Sequence, residues 1–179
     1  MKETLVKAKK GDVLELDELW SFVPHKKNKR WVWLAQCRRT RQIVAYAIGD
    51  RSQGTCALLW KRIPKPHKKA VLYTDFWGAY RKVLPEERHR PTDKGEGQTC
   101  HVERFNNILR QRLGRFVRCT LSFSKTDTMH ENCLRLFLHD YNEQKRTTRF
   151  GTLPDSRGYF MPPRGGVSGS TGSREKVEE

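Results

Sequence analysis

The feature that most constrains this chain is a change of hydrophobic period near residue 50. Before it, apolar residues alternate with polar ones or gather in short β-branched and aromatic runs between turns; after it, they recur at three- and four-residue steps. Residues 13–20, VLELDELW, place Leu14 and Leu16 on one face of a strand and Glu15 and Asp17 on the other, with Asp17 at its far end. A basic turn, KKNKR at 26–30, leads into WVWLAQC at 31–37, a second strand rich in β-formers. After RRTR, residues 42–48 form a third, ended by Gly49-Asp50. Three successive strands with short turns predict an antiparallel meander.

Helices then enter. Ser52 is placed to cap a helix over 55–63, with Ala57, Leu58 and Trp60 as its apolar material and Pro64 and Pro66 as its stop. The run AVLYTD at 70–75 reads as a buried strand ending in a carboxylate. Strand, helical crossover and strand make a right-handed parallel βαβ unit. A short helix over 76–84 and a polar loop over 85–99 follow, the loop holding a short fifth strand near 89–92. Over 101–118 the spacing predicts a long helix whose buried face is Val102, Phe105, Leu109, Leu113 and Phe116. Another face carries Glu103, Asn107 and Arg110. A last helix over 126–142 turns Met129, Cys133, Leu136, Phe137 and Tyr141 inward. The expectation is an α/β fold: a mixed sheet, three-strand meander plus parallel strands, flanked by helices. It occupies residues 1–150 as one domain. Residues 151–179 hold six of the 13 glycines and three of the eight prolines, which predicts a solvated tail.

Charge narrows the function. Among 179 residues, 36 Lys and Arg stand against 20 Asp and Glu, a net charge of +16, so the expected partner is an anion, nucleic acid first. No apolar run approaches the about 20 residues that span a bilayer. The opening MKETLVKAKKGD has no apolar core of a secretory signal, so the chain is expected in the cytoplasm, away from membranes. Five cysteines, at 37, 56, 100, 119 and 133, form no CxxC pair, which argues against disulfides and structural zinc. Cys100-His101 and His130 with Cys133 are better read as ordinary buried or idle side chains.

Three acids remain: Asp17 and Asp75 at strand ends and Glu103 at a helix start. Sites in open α/β sheets lie beyond the carboxyl ends of strands, where connections switch direction. Carboxylates there suit Mg²⁺, which takes oxygen ligands and substrate phosphates. Asp12, Asp50 and Asp93 are expected to be surface charges.

The blocks LELDELWSF (14–22), YTDFWGAY (73–80), HVERFNNILRQRL (101–113) and LSFSK (121–125) together resemble transposases of the insertion-sequence-one family, over residues 12–142. The resemblance implies a DDE enzyme with an RNase H-like core, in which Asp17, Asp75 and Glu103 are the catalytic, metal-binding triad. It implies Mg²⁺, with Mn²⁺ as a substitute, and a reaction in two stages: cleavage of DNA at transposon ends and strand transfer into target DNA. It also matches Arg110, seven residues after Glu103, to the family's basic position. Arg104, Asn107, Arg110, Arg112, Arg115 and Lys125, on or beside the Glu103 helix, are the expected DNA contacts, and Arg118 adds to that charge. Trp77 and Tyr80 are placed to stack on a base or, more simply, to pack in the core. His101 points away from Glu103 on a helix and is not read as a general base.

Full-length relatives carry a zinc-binding and helix-turn-helix region from an upstream reading frame. Only about a dozen residues precede the first strand here, without a zinc motif, so the expectation is the catalytic part, working with that upstream-frame product. A homo-oligomer on DNA, in the bacterial nucleoid, is the implied setting. Cys119 stands where relatives commonly have a basic residue. The rival readings are an RNase H-like nuclease without strand transfer and a non-catalytic, basic nucleic-acid-binding regulator.

Overall fold

A computed structural model describes residues 2–117 and 119–151. Its elements are β1 (Val13–Phe22), β2 (Lys29–Cys37), β3 (Ile43–Gly49), α1 (Gln53–Arg62), β4 (Val71–Thr74), α2 (Gly78–Val83), β5 (His89–Pro91), α3 (Cys100–Arg112) and α4 (Asp127–Phe150). The sheet runs β3-β2-β1-β4-β5. β1, β2 and β3 pair antiparallel, as the meander predicts, while β1–β4 and β4–β5 are parallel. The tail beyond 151 and Arg118 lie outside the described residues.

Both sheet faces are covered, so alternation here separates two cores rather than core from solvent. Leu14, Leu16, Trp33, Ala35 and Cys37 pack with Cys56 and Leu59 of α1 and Tyr80 of α2. Leu19, Val32, Leu34 and Ile43 pack with Val102, Phe105 and Leu109 of α3 and Leu134, Leu138 and Tyr141 of α4. Tyr80 is a core residue, its ring edge-on to Trp33 at 5.2 Å, which settles its choice between stacking and packing.

Besides α1, which buries Thr55, Cys56 and Leu59 and leaves the expected Ala57 and Leu58 exposed, five expectations need correction. First, Asp17 is not at the far end of its strand. β1 continues to Phe22 because its hairpin partner pairs with it from Leu14↔Cys37 to Phe22↔Lys29. What ends near Asp17 is the parallel pairing with β4, whose last register pair is Glu15↔Tyr73. Second, α3 stops at Arg112, where Leu113 turns extended, and Phe116 reaches the core from a 3-10 turn at Gly114–Phe116.

Third, α4 runs past 142 to Phe150, since nothing breaks a helix before Gly151, whose φ is 75°. Asn142 stays inside it because its amide pairs with both backbone groups of Ile43, accepting at 2.8 Å and donating at 2.9 Å. Fourth, the inward face of α4 is His130, Leu134, Leu138, Tyr141 and Asn142, with Phe137 packed partly buried beside them as expected, while Met129 and Leu136 are exposed. Leu134, Leu138 and Tyr141 carry the stripe, and the polar His130 and Asn142 extend it at either end through protein partners of their own. Fifth, Asp12 is buried, its Oδ1 accepting from Arg39 Nε at 2.6 Å, and that guanidinium holds its carboxyl below the usual range.

Candidate active site

β1 is the spine of the site. Its period of two turns Glu15 and Asp17 toward α3 and Glu18 toward α1 and α2. Extending the β1–β4 register by two residues matches Asp17 with Asp75, just past β4. There, beyond the last ladder pair, a side chain from the opposite sheet face can join them. Carboxylate oxygens of Asp17, Glu18 and Asp75 lie within 4.8 Å of one another.

Each acid is held differently. Asp17 Oδ2 accepts from Asn106 Nδ2 of α3 at 2.7 Å. Asp75 Oδ1 accepts from the Trp77 backbone N–H at 3.0 Å. Glu18, 8% exposed, is clamped by Arg51, with Nε to Oε1 at 2.7 Å, and by the Tyr80 hydroxyl to Oε2 at 2.9 Å. Arg51 lies over the Trp31 and Trp77 rings at 4.7 and 4.0 Å, which fixes its guanidinium on that side of Glu18.

Glu103, in the first turn of α3, lies beyond this trio. Its Oε1 accepts from the Thr99 hydroxyl at 2.7 Å, yet it is close enough for its charge to act on Asp17. Burial first, then the charges of Glu18, Asp75 and Glu103, push the Asp17 pKa up to about 7, against a lowering contribution from the Glu18 backbone N–H. The like charges repel one another, and the donor set is oxygen only. Such a set fits a hard divalent cation, which would relieve the repulsion that the Arg51 ion pair on Glu18, one amide and two other donors leave standing.

A separate acid docks α3. Glu15, fully buried, accepts from Arg38 Nε at 2.7 Å and lies 2.6 Å from His101 Nδ1. Its Oε2 accepts from the backbone N–H groups of His101 and Val102 at 2.9 and 3.2 Å. Thr99 makes no side-chain cap to α3, so a carboxylate from β1 caps that helix instead. This sets the height of Glu103 and Asn106 against Asp17. His101 is thereby committed to Glu15, away from Glu103.

The structure thus brings Asp17 and Asp75 together, sets Glu103 beside them, and adds Glu18 and Asn106, which sequence reasoning missed. Asn106 rather than Asn107 reaches Asp17, and Asn107 is exposed. Arg104, Arg112 and Lys125 are exposed and Arg110 is half-buried on α3. Arg115 Nη1 donates to the Phe123 carbonyl at 3.1 Å, tying the LSFSK segment to the turn after α3. Of the His130 and Cys133 pair, His130 stacks on Phe116 at 4.2 Å and its Nδ1 lies 3.0 Å from the Ser124 hydroxyl.

An α/β domain with carboxylates gathered where its parallel strands end, and helices on both faces of a mixed sheet, has the RNase H-like arrangement of DNA-processing enzymes. A sequence profile of the IS1 transposase family matches residues 12–144. Insertion element iso-IS1n protein InsB of Shigella dysenteriae is 34% identical over 129 residues, covering 72% of this chain and 95% of that protein. Insertion element IS1 4 protein InsB of Escherichia coli K12 is 32% identical over 125 residues, 70% of this chain and 72% of that protein. The chain belongs to the IS1 transposase family, and its work is in DNA transposition. Among the described residues, no helix is long and apolar enough to cross a membrane.

Proposed function

We propose that this chain cleaves DNA at transposon ends and joins the freed ends to target DNA, with Asp17, Asp75 and Glu103 as its catalytic carboxylates. The observation that carries this reading is the meeting of Asp17, Glu18 and Asp75 within 4.8 Å where β1 and β4 part. Asp17, Asp75 and Glu103 would hold Mg²⁺ or Mn²⁺, ions that in such sites activate a nucleophile and stabilise a leaving oxygen in phosphoryl transfer. Asn106 engages one oxygen of Asp17 and leaves the other for a ligand. Arg51 and Tyr80 hold Glu18 at the cluster's rear, where it adds negative charge without competing for DNA. Thr99 keeps Glu103 poised one side chain away.

Arg110 shares the Glu103 face of α3, where a guanidinium grips a phosphate through two parallel hydrogen bonds. Asn107, Arg112, Arg115 and Lys125 extend the contact along the DNA backbone. The reading of end sequences belongs to the upstream-frame zinc and helix-turn-helix product, and two or more copies assemble on DNA in the bacterial cytoplasm.

The test is joining of a labelled, pre-cleaved transposon end to a plasmid with Mg²⁺, with and without the upstream-frame product. Joined product that disappears in Asp75→Asn is the expected result. Hydrolysis without joining would favour a stand-alone nuclease, and DNA binding without either reaction would favour a regulator.

A further inference from the structure

On the far side of α3 from the carboxylates lies a cleft of about 160 Å³ between α3, α4 and the β2–β3 edge. At 100° per residue, Arg104 and Ile108 face away from Glu103, Asn106 and Arg110, so one helix separates the two sites. Arg41, Arg104, Lys145 and Arg149 all line the cleft, together with Gln36 and Tyr141. None of the four cations takes part in an ion pair among the described residues. The one buried acid nearby, Glu15, is already engaged by Arg38 and His101.

Three features show that the cleft is built rather than incidental. The β2–β3 register shifts at Ala35/Gln36, so a bulge re-aims Gln36 at the cleft wall. Arg41 holds a φ of 62°, a left-handed conformation that a non-glycine residue adopts at a cost, and its carbonyl accepts from Gln36 Nε2 at 2.8 Å. Gln36 is 1% exposed, yet its Oε1 has no hydrogen-bond partner. Burial and the neighbouring cations Arg149, Arg112 and Arg41 lower the Lys145 pKa, and burial and Arg149 lower that of Arg41. Cations gathered against their own repulsion beside an unmet acceptor match a hydrated anion, whose water donates to Gln36.

We propose that this cleft binds a backbone phosphate of DNA, separate from the phosphate at the carboxylates. The inference rests on the family's work on DNA and not on the cleavage and joining chemistry. Strands held at both faces of α3 would be fixed in angle as well as position relative to the carboxylates.

The experiment reads binding of a labelled duplex in EDTA, so that it stands whether or not the chain is catalytic. Arg104→Gln/Lys145→Gln is compared with Lys61→Gln/Arg135→Gln, which removes the same charge from exposed positions of α1 and α4. The cleft variant should bind about tenfold more weakly near 0.1 M salt, with the slope of log affinity against log salt shallower by about 0.9 for each phosphate that is no longer neutralised. The control should change less than half as much. Arg104→Gln alone, at an exposed helix position, gives the same reading at smaller amplitude should the double variant unfold early. Equal losses in cleft and control variants would overturn the proposal. A thermal midpoint raised by millimolar inorganic phosphate, with duplex affinity untouched by the cleft substitutions, would overturn it in favour of a free-phosphate site.

Discussion

Glu15 and Asp17 stand two residues apart on one strand, on one face, both beside α3, yet Glu15 is fully buried and Asp17 is half-buried, and they are opposite kinds of acid. Glu15 meets a guanidinium, an imidazole and two helix N–H groups. Asp17 meets one side-chain amide and is surrounded by Glu18, Asp75 and Glu103, which help push it to about 7. The upper part of the β1–α3 seam is neutralised from within the fold. Among the described residues one ion pair, Arg51 with Glu18, serves the carboxylates of the lower part. What separates the two acids is the number of positive partners the fold gives each.

The comparison breaks most visibly in activity. Asp17→Asn and Asp75→Asn should each lower end cleavage by at least about 10³-fold while DNA affinity stays equal or rises, because a negative charge leaves a phosphate-facing site. Cleavage assays and gel shifts on the same preparations check this. Retained Mg²⁺-dependent turnover in both variants would remove the carboxylate assignment.

Stability should show the reverse order. Glu15→Gln strands Arg38 and His101 and weakens the α3 cap, at a cost of about 2–4 kcal/mol, discounted because both partners are partly exposed. Asp17→Asn should leave metal-free stability unchanged or higher. Urea unfolding of the two variants beside the wild type measures the difference, and equal destabilisation would erase the distinction between the two acids.

A third buried group sharpens the rule through pH. Burial holds His130 neutral, its pKa lowered to about 4 from 6.5. Between those values the unfolded chain binds a proton that the folded chain refuses, so stability falls as pH drops from 6.5 toward 4 and loses nothing further from this group below that. The loss should reach about 2–3 kcal/mol. Asp12, Asp50 and Asp127, whose pKa values are lowered, lose their contributions only at more acid pH, below about 4. Thermal midpoints from pH 7 to 4 should show the His130 slope in the wild type and a flatter one in His130→Gln.

Much of this is legible in sequence because strand alternation and helix spacing report faces directly. The meander and the crossover follow from those periods, and the parallel pairing of β1 with β4 brings Asp17 level with Asp75 although Asp17 does not end its strand. Glu18 does not, since alternation sends it to the opposite face. It joins Asp17 only because β4 pairs no further than the level of Glu15 and frees the strand's edge. Asn106 and Asn107 are adjacent on a helix, and one position is a 100° turn that composition cannot choose. On α4 the apolar Leu134, Phe137, Leu138 and Tyr141 are open to a sequence reading, but the burial of His130 and Asn142 is not, because it depends on specific partners, Ser124 and Ile43.

On the proposed reading Asp17, Asp75 and Glu103, with the Arg51-paired Glu18 beside them, hold a divalent cation. Thermal unfolding with and without saturating Mg²⁺, in wild type and in Asp17→Asn, tests it without any need for activity. Saturation about 100-fold above the dissociation constant is worth about 2.7 kcal/mol, or about 5–10 °C in a chain of this size. The wild type should gain that much, while Asp17→Asn starts at or above the metal-free wild type and gains little. Equal Mg²⁺ shifts in both proteins, or none in either, would contradict the account.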